Sequence, residues 1–318
     1  MPANKYNRMR NSGREQSQHD GYIGSFLEAL AAQYKQSLRF SSFGKVDRLS
    51  SSEFYRQYYF ANRPVVIRGL MRGWKALRVW TPDYFARNFG NCTVEINRAR
   101  NRDPHYARNF ARNNAKISMK EYVGMLQSGG ETNDYYIEGR NSLLNRRPFR
   151  RLLSHFACPE GFLDPRHVRR KACMWFGPKG TISPLHHDAA NGMLAQIYGR
   201  KQIKLIPPFE TRNLCNHECF SDIDLEKIDY QKFPSMKGVT ILDAILEPGD
   251  FVFVPIGWWH WVKSLDVSIS LSFTNFVVPG EPVAWQWRYG TSATVRAGLS
   301  PRIKVNQPGE ADTVRIIN

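Results

Sequence analysis

Beyond Gly130 the chain consists of short β-prone runs separated by glycine and proline, and this pattern constrains the fold more than any other feature of the sequence. Seven runs rich in β-branched and aromatic residues occupy positions 134–137, 172–176, 193–198, 202–206, 251–254, 259–262 and 268–272. Many short strands joined by tight turns are typical of a β-barrel or a double-sheet roll. The sequence therefore predicts a mainly β core.

The residues before this core predict a mixture of helices and strands. Apolar side chains recur at helical spacing over Ile23–Leu38, which predicts an amphipathic helix. Capping boxes mark two further helix starts, at Ser50 and Ser118, and the first of these helices is predicted to run to about Tyr59. Thr81 marks another start because a proline follows it. Short strands are predicted over residues 64–67 and 92–96.

No linker is long enough to separate two independent domains, so the predicted layout is one core with additions at both ends. The predicted parts are a disordered polar tail over 1–20, a helical and mixed part over 21–130 packed on the core, a β-roll over 131–278, and a helical C-terminal segment with a tail over 279–318. At 318 residues the chain can bury a sizeable core of this kind.

The formal charge of +17 is confined to one half of the chain. Residues 1–175 contain 31 of the 45 Lys and Arg but 14 of the 28 Asp and Glu, whereas residues 176–318 contain 14 of each. Arginine forks suit carboxylate and phosphate groups. The basic half is therefore either a solvated face or the docking surface of an acidic partner, such as an acidic protein or RNA.

The composition excludes several other classes of protein. A hydrophobic fraction of 42% and a charged fraction of 23% are those of a globular protein, not a disordered one. No apolar run approaches the ~18 residues of a membrane-spanning helix, and the first 22 residues lack the apolar centre of a secretory signal. The five cysteines are few and odd in number, which favours reduced thiols. These features predict a cytoplasmic protein that does not engage a membrane.

Two separated segments contain the residues of a metal site. His186 and Asp188 lie two residues apart, so on a regular strand they project from one face. A Pro-Gly turn before Asp250 begins a later aromatic strand that carries His260. Two imidazoles and one carboxylate that leave coordination positions open form the facial triad of non-haem Fe(II) oxygenases.

These residues resemble the Jumonji C (JmjC) or cupin-like dioxygenases, which depend on Fe(II) and 2-oxoglutarate. The resemblance covers residues 40–278, with its motifs in residues 63–69, 80–84, 133–136, 173–208, 248–250, 260 and 268–273. It is greatest to the small protein-hydroxylase branch, which includes the asparaginyl hydroxylase that acts on the hypoxia-inducible factor. It implies a double-stranded β-helix (jelly-roll) core with an N-terminal α/β extension.

The resemblance also implies roles for individual residues. His186, Asp188 and His260 match the iron ligands, and Lys201 matches the lysine that pairs with the distal carboxylate of 2-oxoglutarate. A dicarboxylate held by a metal at one end needs a buried cation at the other, which agrees with this role. Further matches near the cosubstrate are Ser183, Tyr136 with Tyr135 as its alternative, and Ser272.

One position departs from the family pattern. The compared hydroxylases carry asparagine six residues beyond the first iron-binding histidine, where this chain has Gly192, and Asn191 lies one residue earlier. Either a local shift lets Asn191 keep the role, or the corresponding hydrogen bond is missing.

The resemblance implies an enzyme that hydroxylates an amino-acid side chain in a protein or peptide and converts 2-oxoglutarate and O₂ to succinate and CO₂. The alternatives are hydroxylation of a tRNA base, which the basic half would favour, hydroxylation of a natural product, N-methyl demethylation, and a non-enzymatic cupin binding protein. Helices predicted after Pro279, around 283–289, would allow a homodimer.

Overall fold

The computed structural model of the chain describes residues 24–25, 28–37 and 43–277. The predicted tail over 1–20 and the predicted segment over 279–318, with its proposed dimer helices, lie outside these residues. None of the described helices is both long enough and apolar enough to cross a membrane.

Two six-stranded sheets hold most of the strands, numbered here along the chain. The first sheet has the order β1 (Lys45–Asp47), β2 (Val65–Arg68), β13 (Asp250–Val254), β8 (Gly192–Tyr198), β15 (Ser268–Phe273) and β6 (Cys173–Gly177). The second has the order β10 (Asn216–His217), β11 (Phe220–Ser221), β7 (Ile182–His187), β14 (Trp259–Ser264), β9 (Lys201–Ile206) and β12 (Leu242–Leu246). Apart from the parallel pair of β1 and β2, neighbouring strands in both sheets are antiparallel. This architecture confirms the predicted jelly-roll core.

A smaller sheet and several helices precede and flank the roll. The small sheet has the order β4 (Asn114–Ser118), β3 (Thr93–Arg98) and β5 (Tyr135–Tyr136). The α-helices are α1 (28–37), α2 (Ser51–Phe54), α3 (Ala76–Val79), α4 (Pro82–Phe89), α5 (Met119–Ser128) and α6 (Val168–Lys171), and residues 24–25 are also helical. A π-helical turn spans Tyr55–Tyr59, and 3₁₀ segments span Arg100–Arg102, Gly139–Asn141, Leu143–Asn145, Arg147–His155, Pro165–His167, Pro208–Asn213 and Pro234–Met236.

Buried apolar side chains form three clusters, one between the two large sheets and one on the outer face of each. One cluster lies between the sheets and joins Val252 of β13 to Ile203 of β9. A larger cluster packs the outer face of the first sheet against the N-terminal helices, for example Phe251 against Trp74 at 5.5 Å between ring centroids. The third cluster covers the outer face of the second sheet, where Trp259 is fully buried. Apolar side chains therefore cover both outer faces of the roll and fill part of the space between its sheets.

The predicted helix starts are confirmed by their capping contacts. Ser50 and Glu53 form a complete capping box at α2, Thr81 accepts from the Tyr84 amide at α4, and Ser118 accepts from the Glu121 amide at α5. The segment from Ser51 to Tyr59 is helical as predicted, but it changes from α-helical to π-helical geometry after Phe54.

Candidate metal centre and cosubstrate pocket

The pairing of β7 with β14 brings the two distant metal motifs together. His186 lies directly opposite His260 in the antiparallel register, with 4.1 Å between the imidazole centroids. Asp188 follows the end of β7, and its Oδ2 lies 3.8 Å from His260 Nε2. One donor atom from each of the three residues lies within 4.8 Å of the others.

Backbone carbonyls determine which nitrogen of each histidine can bind a metal. Nδ1 of His186 lies 2.7 Å from the Pro184 oxygen, and Nδ1 of His260 lies 3.1 Å from the Trp258 oxygen. A carbonyl oxygen can only accept, so each Nδ1 carries the proton and each Nε2 keeps its lone pair.

The electrostatic environment of His186 also suits ligation. Burial, and then the neighbouring His260, lowers the pKa of His186, so its imidazole is neutral at neutral pH. Two imidazoles and a carboxylate form the donor set of the non-haem Fe(II) triad. The residues present therefore fit Fe(II).

A buried cation lies where the distal end of a dicarboxylate would need one. Lys201 begins β9 and is 3% exposed, and its Nζ lies 3.3 Å from the hydroxyl of Tyr136. Burial lowers the pKa of Lys201 to about 7. Among the described residues no carboxylate pairs with this amine, so an incoming carboxylate would gain a desolvated partner.

Ser183 reaches the same interior face through an irregularity in β7. It lies three residues before His186, a spacing that would place the two side chains on opposite faces of a regular strand. A register shift in the pairing with β14 sets Ser183 opposite Val262 while His186 lies opposite His260. Because Val262 and His260 are two residues apart, Ser183 and His186 face the same side.

The remaining predicted site residues make contacts of their own. Ser272 accepts a hydrogen bond from Trp175 Nε1 at 2.8 Å. Asn191 Oδ1 accepts the amide of Ile256 at 2.8 Å, which ties β8 to the turn before β14. Tyr135 donates its hydroxyl to the Met125 carbonyl at 2.7 Å, away from Lys201. Of the two tyrosines, Tyr136 is thus the one that meets Lys201.

Four further residues surround this pocket that sequence reasoning did not assign. Phe220 stacks on His186 at 5.7 Å, and Trp175 lies 5.9 Å from the ring of Tyr136. Arg100 is 2% exposed and lies over the ring of Tyr136, and Glu138 is 5% exposed. Glu138 could have been predicted, because it lies two residues after Tyr136 and so shares its face on an extended segment. Arg100 could not, because it belongs to an arginine-rich run that is typical of a solvated face.

The loop between β3 and β4, residues 99–113, covers one side of the pocket. Tyr106 and Arg100 both donate to the carbonyl of Ile182, at 3.0 and 2.6 Å. Arg108 pairs with Asp222 at 3.2 Å and lies over the ring of Phe220. Part of the N-terminal positive charge therefore belongs to the wall of the site.

Comparisons with known proteins agree with this geometry. The cupin-like domain model matches residues 51–275. Lysine-specific demethylase JMJ30 of Arabidopsis thaliana is 31% identical over 71% of this chain, and lysine-specific demethylase 8 of Xenopus tropicalis is 32% identical over 70% of it. Arginine-specific demethylase JMJ20 of Arabidopsis thaliana is 26% identical over 72% of the chain.

The match covers 52%, 50% and 56% of these three relatives, so this chain spans about half the length of each. The family model nevertheless spans β2 to β15, with the His186, Asp188 and His260 cluster. The chain belongs to the cupin-like JmjC family of oxygenases, which use Fe(II) and 2-oxoglutarate.

Proposed function

We propose that this chain removes N-methyl groups from lysine side chains of a protein substrate in a reaction that depends on Fe(II) and 2-oxoglutarate. The observation that carries the proposal is the meeting of the His186, Asp188 and His260 cluster with the buried Lys201–Tyr136 pair inside one roll. Two relatives at 31% and 32% identity, both named lysine-specific demethylases, support the choice of substrate.

In this proposal His186, Asp188 and His260 hold the metal, while Lys201, Tyr136 and Ser183 hold the distal carboxylate of 2-oxoglutarate. The bound metal and cosubstrate supply the activation of O₂, with 2-oxoglutarate converted to succinate and CO₂. Ser272, hydrogen-bonded to Trp175, positions that indole beside the Tyr136 ring. Asn191 orients the turn that leads to His260 through the Ile256 amide.

The chemistry of the substrate decides between demethylation and lasting hydroxylation. Oxygen inserted into a C–H bond of an N-methyl group gives N–CH₂OH, whose C–N bond breaks to release formaldehyde and leave N–H. Oxygen inserted at a carbon without a bonded nitrogen stays on the product. The resemblance of residues 40–278 to protein hydroxylases supports this second outcome, which the sequence analysis placed first. The names of the relatives favour demethylation.

The deciding experiment incubates the protein with Fe(II), 2-oxoglutarate, O₂ and methylated lysine peptides and follows the products by mass spectrometry. We expect succinate, formaldehyde and loss of a methyl group, all abolished in His186→Ala. His187→Ala is the matched control, because the His187 ring packs against Trp259 at 4.6 Å and lies outside the metal cluster. A gain of one oxygen on the peptide would establish hydroxylation instead.

The same assay separates the other readings. Oxidation of RNA or of a small molecule, with every peptide unchanged, would overturn the choice of a protein substrate. If the wild-type protein binds the metal but forms no succinate under any condition, the proposal that this chain is an enzyme is overturned.

A further inference from the structure

Glu138 is a buried carboxylate on the wall of the site whose oxygens receive no hydrogen bond from the described residues. Its nearest cation is Arg140, with 3.8 Å between Nε and Oε2, which exceeds hydrogen-bonding distance. The Glu138 oxygens are not among the fully buried polar atoms that lack a partner, so this carboxylate remains accessible to a ligand that donates a hydrogen bond.

The backbone points Glu138 toward the pocket. Tyr135 and Ile137 pack into the large apolar cluster, whereas Tyr136 turns its hydroxyl to Lys201. Since side chains alternate along an extended segment, Glu138 shares the face of Tyr136. The following residue is Gly139, where an added Cβ would lie 2.8 Å from the indole of Trp175. Glu138 therefore lies on the face of Tyr136, directly before the glycine that packs against Trp175.

Two arginines lie near this carboxylate, but neither donates a hydrogen bond to it. Burial raises the pKa of Glu138, while Arg100 and Arg140 act in the opposite direction and favour its ionised form. Arg100 uses Nη2 on the Ile182 carbonyl and leaves Nε and Nη1 without a partner among the described residues. Arg140 is held by the carbonyl of Ala107 and by the ring of Phe110.

We propose that Glu138 accepts a hydrogen bond from the N–H of the substrate's methylated ammonium group and thereby selects its degree of methylation. This inference rests on the proposed function. Mono- and dimethyl-lysine retain an N–H, whereas trimethyl-lysine has none, so only the first two can satisfy the buried carboxylate. Glu138 is then a specificity residue that also directs a methyl carbon toward the metal ligands.

A charge-assisted hydrogen bond in a dry site predicts a preference on the order of tenfold for dimethyl- over trimethyl-lysine. In Glu138→Gln we expect this preference to fall to about twofold or less, because the amide oxygen is a weaker, uncharged acceptor. The matched control is Glu160→Gln, which removes an exposed carboxylate outside the site and should leave the preference and the basal turnover unchanged.

The experiment has two independent readouts. The first compares the binding and demethylation of peptides that carry mono-, di- and trimethyl-lysine. The second titrates the protein with dimethylammonium or tetramethylammonium ions and follows the backbone amide resonances of Glu138 and Gly139. The ion titration can be carried out without knowing the peptide sequence. Its result on the wild-type protein is informative even if Glu138→Gln does not fold.

The outcomes distinguish this inference from the proposed function. Saturable shifts with dimethylammonium and none with tetramethylammonium, lost in Glu138→Gln, would support the inference. Equal shifts with both ions, or a methylation preference that survives Glu138→Gln, would overturn it. If the ion preference is present while no methylated peptide is turned over, the proposed function fails and the recognition of an N–H cation by Glu138 stands.

Discussion

The hydroxyl groups of Tyr136 and Tyr135 point to opposite faces of β5, one to Lys201 and one to the Met125 carbonyl. We expect Tyr136→Phe to weaken 2-oxoglutarate binding by about tenfold, the cost of one hydrogen bond to a charged group. Tyr135→Phe should leave that binding unchanged and lower the free energy of unfolding by about 1 kcal/mol. Calorimetric titration and chemical denaturation of both variants provide the measurements. Equal losses of cosubstrate affinity in the two variants would contradict the assignment.

The buried amine of Lys201 makes cosubstrate binding dependent on pH. Its pKa is lowered to about 7, whereas the amine must be protonated to pair with the carboxylate of 2-oxoglutarate. Below about pH 7 the amine already carries its proton, and above it each binding event must take up a proton from solution. The Kd for 2-oxoglutarate should therefore rise by about tenfold per pH unit above this value, since the ligand itself does not titrate in this range.

The measurement is a calorimetric titration of Mn(II)-loaded protein with 2-oxoglutarate at several pH values, in buffers of different protonation enthalpy. Lys201→Arg is the control, because its guanidinium stays charged and its Kd should not vary with pH. A wild-type Kd that is constant between about pH 7 and pH 9 would show that Lys201 is protonated in the free protein.

At the level of elements, the irregular pairing of β7 with β14 determines which side chains enter the pocket. His186, Asp188 and His260 could be grouped from the sequence because strand alternation and the aromatic setting of His260 suffice for that step. The inward position of Ser183 was implied by the family resemblance but could not be derived from strand alternation, since it depends on the register shift near Val262. Pairing register is a property of two strands, and neither strand encodes it alone.

Elements that lie at sheet edges were also harder to predict. β12 forms the edge of the second sheet, and two of its five residues, Asp243 and Ile245, are exposed. Its sequence lacks the continuous apolar character of β13, which is buried throughout and was predicted. The sequence also left open whether Tyr135 or Tyr136 faces the pocket, because a two-residue strand is too short to show an alternating pattern of apolar and polar residues. Burial of every residue therefore made β13 predictable, whereas alternating exposure concealed β12; β6, an edge strand that was predicted, has no exposed residue.

Gly177 at the end of β6 determines where the Tyr136 ring can lie. A Cβ added at this position would lie 2.5 Å from Tyr136 Cδ2 and 2.8 Å from Thr181 Oγ1. We expect Gly177→Ala to displace the ring and weaken 2-oxoglutarate binding by about tenfold or more, since overpacking of this kind costs about 1–3 kcal/mol. Metal binding at the His186 cluster should change little.

The matched control for this change is Gly192→Ala in β8, where the nearest atom to an added Cβ is the Val254 oxygen at 3.9 Å. Calorimetry with 2-oxoglutarate and thermal melting would be measured on both variants. If Gly177→Ala binds the cosubstrate as the wild type does while remaining folded, the ring is free to move and the packing argument is wrong.

For the whole molecule, the structure divides the N-terminal positive charge into two classes. Some arginines form internal ion pairs, as Arg108 does with Asp222 and Arg146 with Glu95 at 2.9 Å. Arg147 and Arg150 are exposed on the 3₁₀ segment beyond them, and no carboxylate among the described residues pairs with either side chain. The second class is the one that remains available to an acidic partner.

Charge reversal tests whether this exposed class recruits an acidic substrate. In the double variant Arg147→Glu and Arg150→Glu, the apparent KM for a methyl-lysine peptide with acidic flanks should rise by about threefold to tenfold at low ionic strength, and the difference should shrink as salt screens it. Turnover of 2-oxoglutarate without peptide should be unchanged, because neither residue contacts the pocket. The control, Lys227→Glu with Lys237→Glu, changes the net charge by the same amount at exposed positions of the neutral half. An equal rise of KM in both double variants would assign the effect to net charge alone, and no rise in either would make the arginine run a solvated face.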